Sequence, residues 1–374
     1  MTAFLAMLLD AYRELNSRKL FWITLGMSGM VVIAFGSIGF NEQGMSMFYG
    51  LWPIESEYVN STTPWSRALY IGIFSDFIVG IWLTWIAIIL ALISTCTIFP
   101  DFLAGGAIDL VLSKPIHRAA IFAMKFVTSL MFVVLQVTVF CAGIFLCVGL
   151  RIGEWNWMIF AAVPVVTVFY SYIFAVCVLA SVLTRSAITA LLLTLVFWSS
   201  LFGMQTTETL LQSTRIKLEI EAANAEQRID QLESRLAAIE PDPSDSGNAV
   251  ARASFQRRLE NARADRESSI DGAAKLAPWH VPFRVITAIL PKTQATVALL
   301  SRWLKDPDGF SIADMMRGDM TGEALIRDPV DVEANRRLEE KLEGDSAWYV
   351  IGTSLAFEAM VLGLACVIFM RRDF

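Results

Sequence analysis

The sequence predicts an all-α integral membrane protein. It would have six transmembrane helices, both termini in the cytoplasm, and an extracytoplasmic helical hairpin between spans five and six. Three observations predict this. The 374 residues are 55% hydrophobic and only 18% charged, where a soluble domain carries about 25% charged residues. The 11 Trp and 25 Phe are residue types that gather at membrane interfaces and in apolar spans. Lys and Arg are also distributed unevenly. Arg13, Arg18, Lys19, Lys114, Arg118, Lys125, Arg185, Arg371 and Arg372 fall on one side of the predicted spans, and only Arg67 and Arg151 on the other. Short loops rich in Lys and Arg stay in the cytoplasm, which puts both termini there and requires an even number of crossings.

Taken in order, residues 3–17 read as an amphipathic helix. Leu5, Leu8, Leu9, Tyr12 and Leu15 share a face, as expected of a helix lying on the cytoplasmic leaflet. Acidic residues precede the apolar run and no small-residue cleavage site follows, so a signal peptide is not expected. Span one is read at 20–40, long enough at about 20 residues to cross the hydrocarbon. Residues 41–68 read as a polar, aromatic outer segment with Trp52, Tyr58 and Trp65. Span two follows at 69–99, span three at 120–150, span four at 158–183, span five at 187–204 and span six at 348–370. Residues 1–204 thus hold the interfacial helix and five spans, and 347–374 hold span six and a cytoplasmic tail.

Between spans five and six lies the polar region 205–346, which carries the whole net charge of −6. Its acidity excludes a nucleic-acid partner, and long loops are exported largely regardless of charge. Leu211, Leu218, Ala225, Leu232 and Ile239 recur every seven residues. Arg215, Ala222, Ile229 and Leu236 form a second series four residues on, so the pattern is a coiled-coil seam. Pro241, Pro243 and Gly247 break it. A weaker heptad helix resumes over 250–276 with Phe255, Leu259, Ala262 and Ala273 inward, giving a hairpin over 208–277. Residues 279–304 turn apolar again but are split by Pro291 into pieces too short to span. Residues 305–346 are polar and carry no recognisable chemistry.

The most informative polar stretch, 99–118, lies between spans two and three. Pro100 suits a first helical turn and Asp101 puts negative charge at its positive end. Leu103, Ala107, Leu110 and Val111 repeat at helical spacing. Pro115 then disfavours helix at Lys114, so a short helix near 100–113 is predicted. With Leu110, Leu112, Ser113, Pro115, Arg118 and the following Lys125, the stretch resembles the coupling segment of ABC-2-type transporter permeases. The nearest likeness is to the group related to the permease of nitrous-oxide-reductase maturation. That family usually has Glu ahead of the Gly pair, where this chain has Asp101 and Gly105-Gly106.

The resemblance implies a permease subunit working as a dimer with a second permease subunit, in the bacterial cytoplasmic (inner) membrane and in contact with its lipid. A separate ATPase subunit would bind ATP. Asp101, Leu103, Asp109, Leu110, Ser113, Pro115 and Arg118 would couple it to the spans. Residues 279–304 would correspond to the short re-entrant or interfacial helices that cap the pathway in that family.

The chain itself lacks a G-x-x-x-x-G-K-[ST] phosphate loop and an HExxH pair, so neither catalysis nor a bound cofactor is expected of it. The five Cys all sit in apolar runs without metal-ligand spacing. Two acidic residues fall inside spans. Glu358 lies about 15 Å into span six by helix rise, where a carboxylate is costly and faces a cavity or a partner. It is expected to be protonated, or hydrogen-bonded to a group such as Gln136 of span three, and to line the pathway or the dimer seam. Asp76 lies nearer the outer end of span two. A reading of a different class is a membrane scaffold or sensor whose external coiled coil binds an extracytoplasmic partner. A secondary transporter is a third reading, but its related halves are not visible here.

Overall fold

The computed structural model describes residues 19–55, 72–103, 117–153, 155–238, 246–304 and 346–371, with scattered positions at 66–70 and 330–344. The predicted interfacial helix at 3–17 and most of 305–346 lie outside the described residues. The chain divides into two compact units. One comprises Met1–Phe202, Ile289–Met320 and Ala347–Phe374, and the other Gly203–Ala288 and Thr321–Ser346.

The first unit is mostly helical. Helix α1 spans Lys19–Gly36. Three short strands follow: β1 (Gly39–Asn41), β2 (Gly44–Met47) and β3 (Trp52–Glu55). They form an antiparallel sheet in the order β1-β2-β3, with Phe40 opposite Met45 and Met45 opposite Ile54. This small sheet begins the segment read as polar and aromatic, within a protein that is otherwise helical. Its strands are three or four residues long, too short for their alternation to stand out from a loop rich in Gly and aromatics.

The second apolar segment is not one regular helix. Ile73–Ala87 is wound with π geometry, normally seen as single turns. It passes into α2 (Ile88–Thr95), and a turn at Cys96-Thr97 leads into α3 (Ile98–Leu103). No residue in 73–87 dictates the π winding. Helix α4 spans Arg118–Ile152 and ends on Gly153, whose φ of 79° suits glycine. A 3-10 turn over Trp157–Ala161 opens α5 (Ala162–Thr184). Helix α6 then runs unbroken over Ala187–Ala238, 52 residues, of which the first part belongs to this unit. Helices α8 (Thr293–Leu304) and α9 (Ala347–Arg371) complete it.

Five helical segments are long and apolar enough to cross a membrane: Gly80–Leu103, Arg118–Arg151, Trp157–Thr184, Ala187–Ala238 and Ala347–Arg371. Phe21–Gly36 is a shorter apolar helix. The chain is therefore a multi-pass helical membrane protein by length and composition.

Contacts fix which helices run the same way. Phe21 meets Phe132 (ring centroids 5.5 Å apart), and Cys147 Sγ lies 3.6 Å from the Val32 carbonyl. A Cβ on Gly143 would stand 2.9 Å from Val32, and one on Gly36 2.8 Å from Cys147 Sγ. Residue numbers rise together along both helices, so α1 and α4 are parallel and close. At their far end Arg151 Nε donates to the Gly36 carbonyl at 2.8 Å, and its guanidinium lies 5.0 Å from the Tyr49 ring. One side chain thus satisfies the open end of α1 and anchors the turn beside the sheet. Helices α4 and α5 are antiparallel, with Phe126 on Phe174 and Phe145 on Phe160. Phe122 of α4 meets Phe369 of α9, and Ser171 of α5 meets Glu358 of α9, which makes α5 and α9 parallel.

The second unit pairs the later part of α6 with most of α7 (Ser246–Ile289). Arg263 bonds Glu233 at 2.7 Å, Arg266 approaches Glu226 at 3.5 Å, and Leu218 packs 3.3 Å from where a Gly272 Cβ would be. Numbers fall on one helix as they rise on the other, so the two are antiparallel. Ala225, Leu259 and Ala262 are buried in the seam. Arg215, placed in the seam by its heptad position, is instead exposed and paired with Glu219 at 2.9 Å, because a solvated i,i+4 ion pair costs less than a buried guanidinium. Buried Ile220 was missed by the heptad count. Helix α7 also runs further than 250–276, passing through Pro278 and Pro282, each of which removes one backbone donor.

The α1–α4 approach can be tested. Gly143→Ala should cost about 1–3 kcal/mol through overpacking against the stiff Val32 side chain. Gly26→Ala, with nothing within 4 Å, should leave stability unchanged. Equal thermal midpoints of the two variants in detergent would show that α1 and α4 do not meet here.

Candidate functional site

The centre of the first unit is α5, with fifteen buried residues among its 23. Being apolar all round, it must have each polar group answered from within or by a neighbouring helix. The Tyr170 hydroxyl meets Thr95 Oγ1 of α2, and Thr95 Oγ1 in turn donates to the Ala91 carbonyl. Thr167 and Thr184 donate to the carbonyls four residues back at 2.7 and 2.8 Å. Two residues of the next turn, Ser171 and Tyr172, face a carboxyl.

That carboxyl is Glu358, 7% exposed. Ser171 Oγ lies 2.7 Å from Glu358 Oε2 and 2.8 Å from the Val168 carbonyl. This geometry serves either state of the acid. An ionised carboxylate accepts the serine proton. A protonated one donates to Ser171 Oγ, which then donates to Val168. The sequence-expected partner, Gln136, is not the one found. Gln136 is buried on α4 and its Nε2 has no hydrogen-bond partner.

A third element closes the cluster. The Lys292 backbone N–H, just before α8, donates to Ser354 Oγ of α9 at 3.0 Å, and Lys292 Nζ stands 3.3 Å from the centre of the Tyr349 ring. Ser354 donates to the Val350 carbonyl and Thr296 of α8 to the Lys292 carbonyl, each at 2.8 Å. The Tyr172 hydroxyl lies beside Glu358, Ser354 and Thr296. Both neighbouring hydroxyls have committed their protons to backbone, which leaves their oxygens open to accept from the Tyr172 hydroxyl. Glu358, Ser171, Tyr172, Ser354 and Thr296 therefore form a polar island, all buried, contributed by α5, α8 and α9. Sequence reading found only Glu358. The i,i+4 spacing of Ser354 and Glu358 was a usable signal, because it puts both on one face of span six.

The other predicted residues are scattered. Asp76 is in the π-wound stretch and its side chain is outside the described residues. So are Asp109, Leu110, Ser113 and Pro115. Asp101 is exposed and Leu103 half-buried on α3, and Arg118 is the first residue of α4. What unites this end of the unit is a ring cluster. Phe99 packs on Phe122 at 5.4 Å, Phe102 on Phe369 at 6.4 Å, and Phe122 on Phe369 at 5.7 Å, with Lys125 Nζ 5.7 Å from the centre of the Phe102 ring. Helix α3 is thus tied to the start of α4 and the end of α9.

Among the described residues no group of three or more His, Cys, Asp or Glu could hold a metal ion. In the second unit Arg336 and Arg337 pull the Glu333 carboxyl down to about 2. All three side chains reach solvent, so their pairing sets local charge more than stability. Comparison with known proteins finds no matching family model, no matching curated protein and no matching solved structure.

The island predicts an asymmetry. Ser171→Ala, which leaves the buried carboxyl without its partner, should cost about 1–3 kcal/mol. Glu358→Gln keeps the shape and can donate to Ser171 Oγ, so it should cost under about 1 kcal/mol. Thermal unfolding in detergent measures both, and a Glu358→Gln loss exceeding that of Ser171→Ala would contradict this assignment.

Proposed function

We propose that this chain is the permease subunit of an ATP-driven ABC-2-type transporter, with six spans and a separate ATPase subunit. The observation that carries the reading is the ring packing of α3, the short helix that follows the turn at Cys96-Thr97 at the end of the second apolar segment. There Phe99 and Phe102 lock α3 to Phe122 and Phe369. A short helix held this way passes a push at its surface into three spans at once. It also opens the stretch whose Ser113, Pro115 and Arg118 resemble the coupling segment of that family.

The helix directions support six crossings. Parallel α1 and α4 require one crossing between them, supplied by the segment ending at α3. The antiparallel pair α4 and α5, and parallel α5 and α9, continue the alternation. The bias of Lys and Arg then places both termini in the cytoplasm and residues 205–346 outside, as a hairpin. Helix α8, twelve residues and packed against α5 and α9, suits a re-entrant cap over the polar island. Glu358 lines the pathway or the dimer seam in this reading.

The second reading, a scaffold or sensor, draws on the long two-helix unit, which is more than a small permease needs. A pull-down from gently solubilised membranes separates the two. The wild-type chain should copurify with a nucleotide-hydrolysing subunit, and Asp109→Arg and Pro115→Gly should lose it. If the wild type brings down no ATPase, the transporter reading fails and the scaffold stands.

The topology has its own test. The five native cysteines are buried or half-buried, so Gln227→Cys in the exposed part of α6 should be the principal site open to a membrane-impermeant maleimide in spheroplasts. Labelling only after lysis would put the two-helix unit in the cytoplasm.

A further inference from the structure

The two grooves flanking the α6–α7 seam differ in charge. One, lined by Glu226, Asp230, Glu267 and Asp271 together with Arg263 and Arg266, has its arginines closed by Glu233 and Glu226. The other, of about 340 Å³, is lined by Arg228, Gln231 and Arg235 from α6 and by Arg258, Asn261 and Asp265 from α7. Here no guanidinium is closed. Arg228 Nε reaches only the Asn224 carbonyl, at 3.3 Å. Among the described residues none of Arg228, Arg235 and Arg258 makes an ion pair, with Asp265 or with any other carboxylate, although carboxylates are plentiful on this unit. Arg228 and Arg235 are seven residues apart, so they lie on one face of α6, and Arg258 approaches from the facing helix.

The geometry points to a binding site for a phosphate group in this groove. Three guanidiniums against one carboxylate leave an excess of two positive charges, matching a phosphate monoester dianion. Their forked donors suit tetrahedral oxyanions, which accept several hydrogen bonds at once. Gln231 and Asn261 add neutral amide donors. A lone carboxylate would need one arginine and leave two unanswered. The phosphate can belong to a lipid headgroup or to a soluble molecule; the chemistry at the groove is the same. The inference rests on the two-helix unit alone and is independent of the transporter reading.

The test uses the full chain in phosphatidylcholine nanodiscs. One arm titrates inorganic phosphate calorimetrically. The other measures cosedimentation with vesicles containing phosphatidic acid. The wild type should bind at least one probe saturably, more weakly as salt rises. The double variant Arg235→Gln/Arg258→Gln should bind it about tenfold more weakly or worse. The control Arg263→Gln/Arg266→Gln, in the opposite groove, should bind as the wild type does. Circular dichroism melting confirms that the two-helix unit stays folded in each variant. Binding of vesicles alone identifies a lipid headgroup, and binding of free phosphate identifies a soluble ligand; either supports the site. No saturable binding to either probe, or equal losses in the two double variants, overturns it.

Discussion

Everything in the membrane unit is arranged around the burial of α5. A helix enclosed on all sides by apolar neighbours has no water to answer its side-chain dipoles, so each must find a partner across a helix contact or on its own backbone. Thr167 and Thr184 take the second course, donating to the carbonyl four residues back. Tyr170 takes the first and ties α5 to α2. Ser171 takes both, bonded to Val168 and to Glu358. The packing of α5 against α9 is therefore specified in depth and rotation by a polar contact inside an otherwise apolar interface. Apolar packing alone would tolerate sliding by a turn, because one Leu or Val fits much as the next does. A serine–carboxyl pair does not tolerate it, since a slip would leave a buried carboxyl unanswered.

The same logic explains why close approach concentrates elsewhere. Between α1 and α4 the polar contact short of the end is a weak one, the Cys147 thiol on the Val32 carbonyl at 3.6 Å. The register comes from Gly36 and Gly143, where a side chain on the partner occupies the space a Cβ would fill, and from Arg151 bonding the end of α1. Small residues at the contact and a polar group at the end are complementary ways of setting register where lipid supplies little preference between helices.

The spans were legible in the sequence because hydropathy over twenty residues is a sum of many like terms. Span six, read at 348–370, appears as Ala347–Arg371, and the break at Pro291 separates α7 from α8. What escaped reading was set by single contacts. The sheet after α1 is too short for periodicity to register. The heptad count placed Arg215 in the seam because it weighs position and not the cost of burying a guanidinium, which prefers Glu219 and water. Glu358 stood out as a charge in an apolar run. Its partner did not, since Ser171 is one of many hydroxyls in the spans and only the packing of α5 on α9 selects it. Gln136 was the more conspicuous choice by composition, but it stands on α4, where its Nε2 has no hydrogen-bond partner among the described residues.

The polar island and the ring cluster share α5 and α9. Glu358 and Phe369 are eleven residues apart on α9, about 16 Å by helix rise. Ser171 and Phe174 are neighbours on α5, and Phe174 reaches Phe99 of α3 at 6.4 Å. A displacement of α3 therefore bears on α9 directly through Phe369 and on α5 through Phe174. It need not move both helices equally. Any difference between them falls on the one contact that cannot slip cheaply, the bond between Ser171 and Glu358. The Tyr172 hydroxyl stands beside that bond, near Ser354 and Thr296, so a slip of α9 along α5 would disturb its surroundings as well.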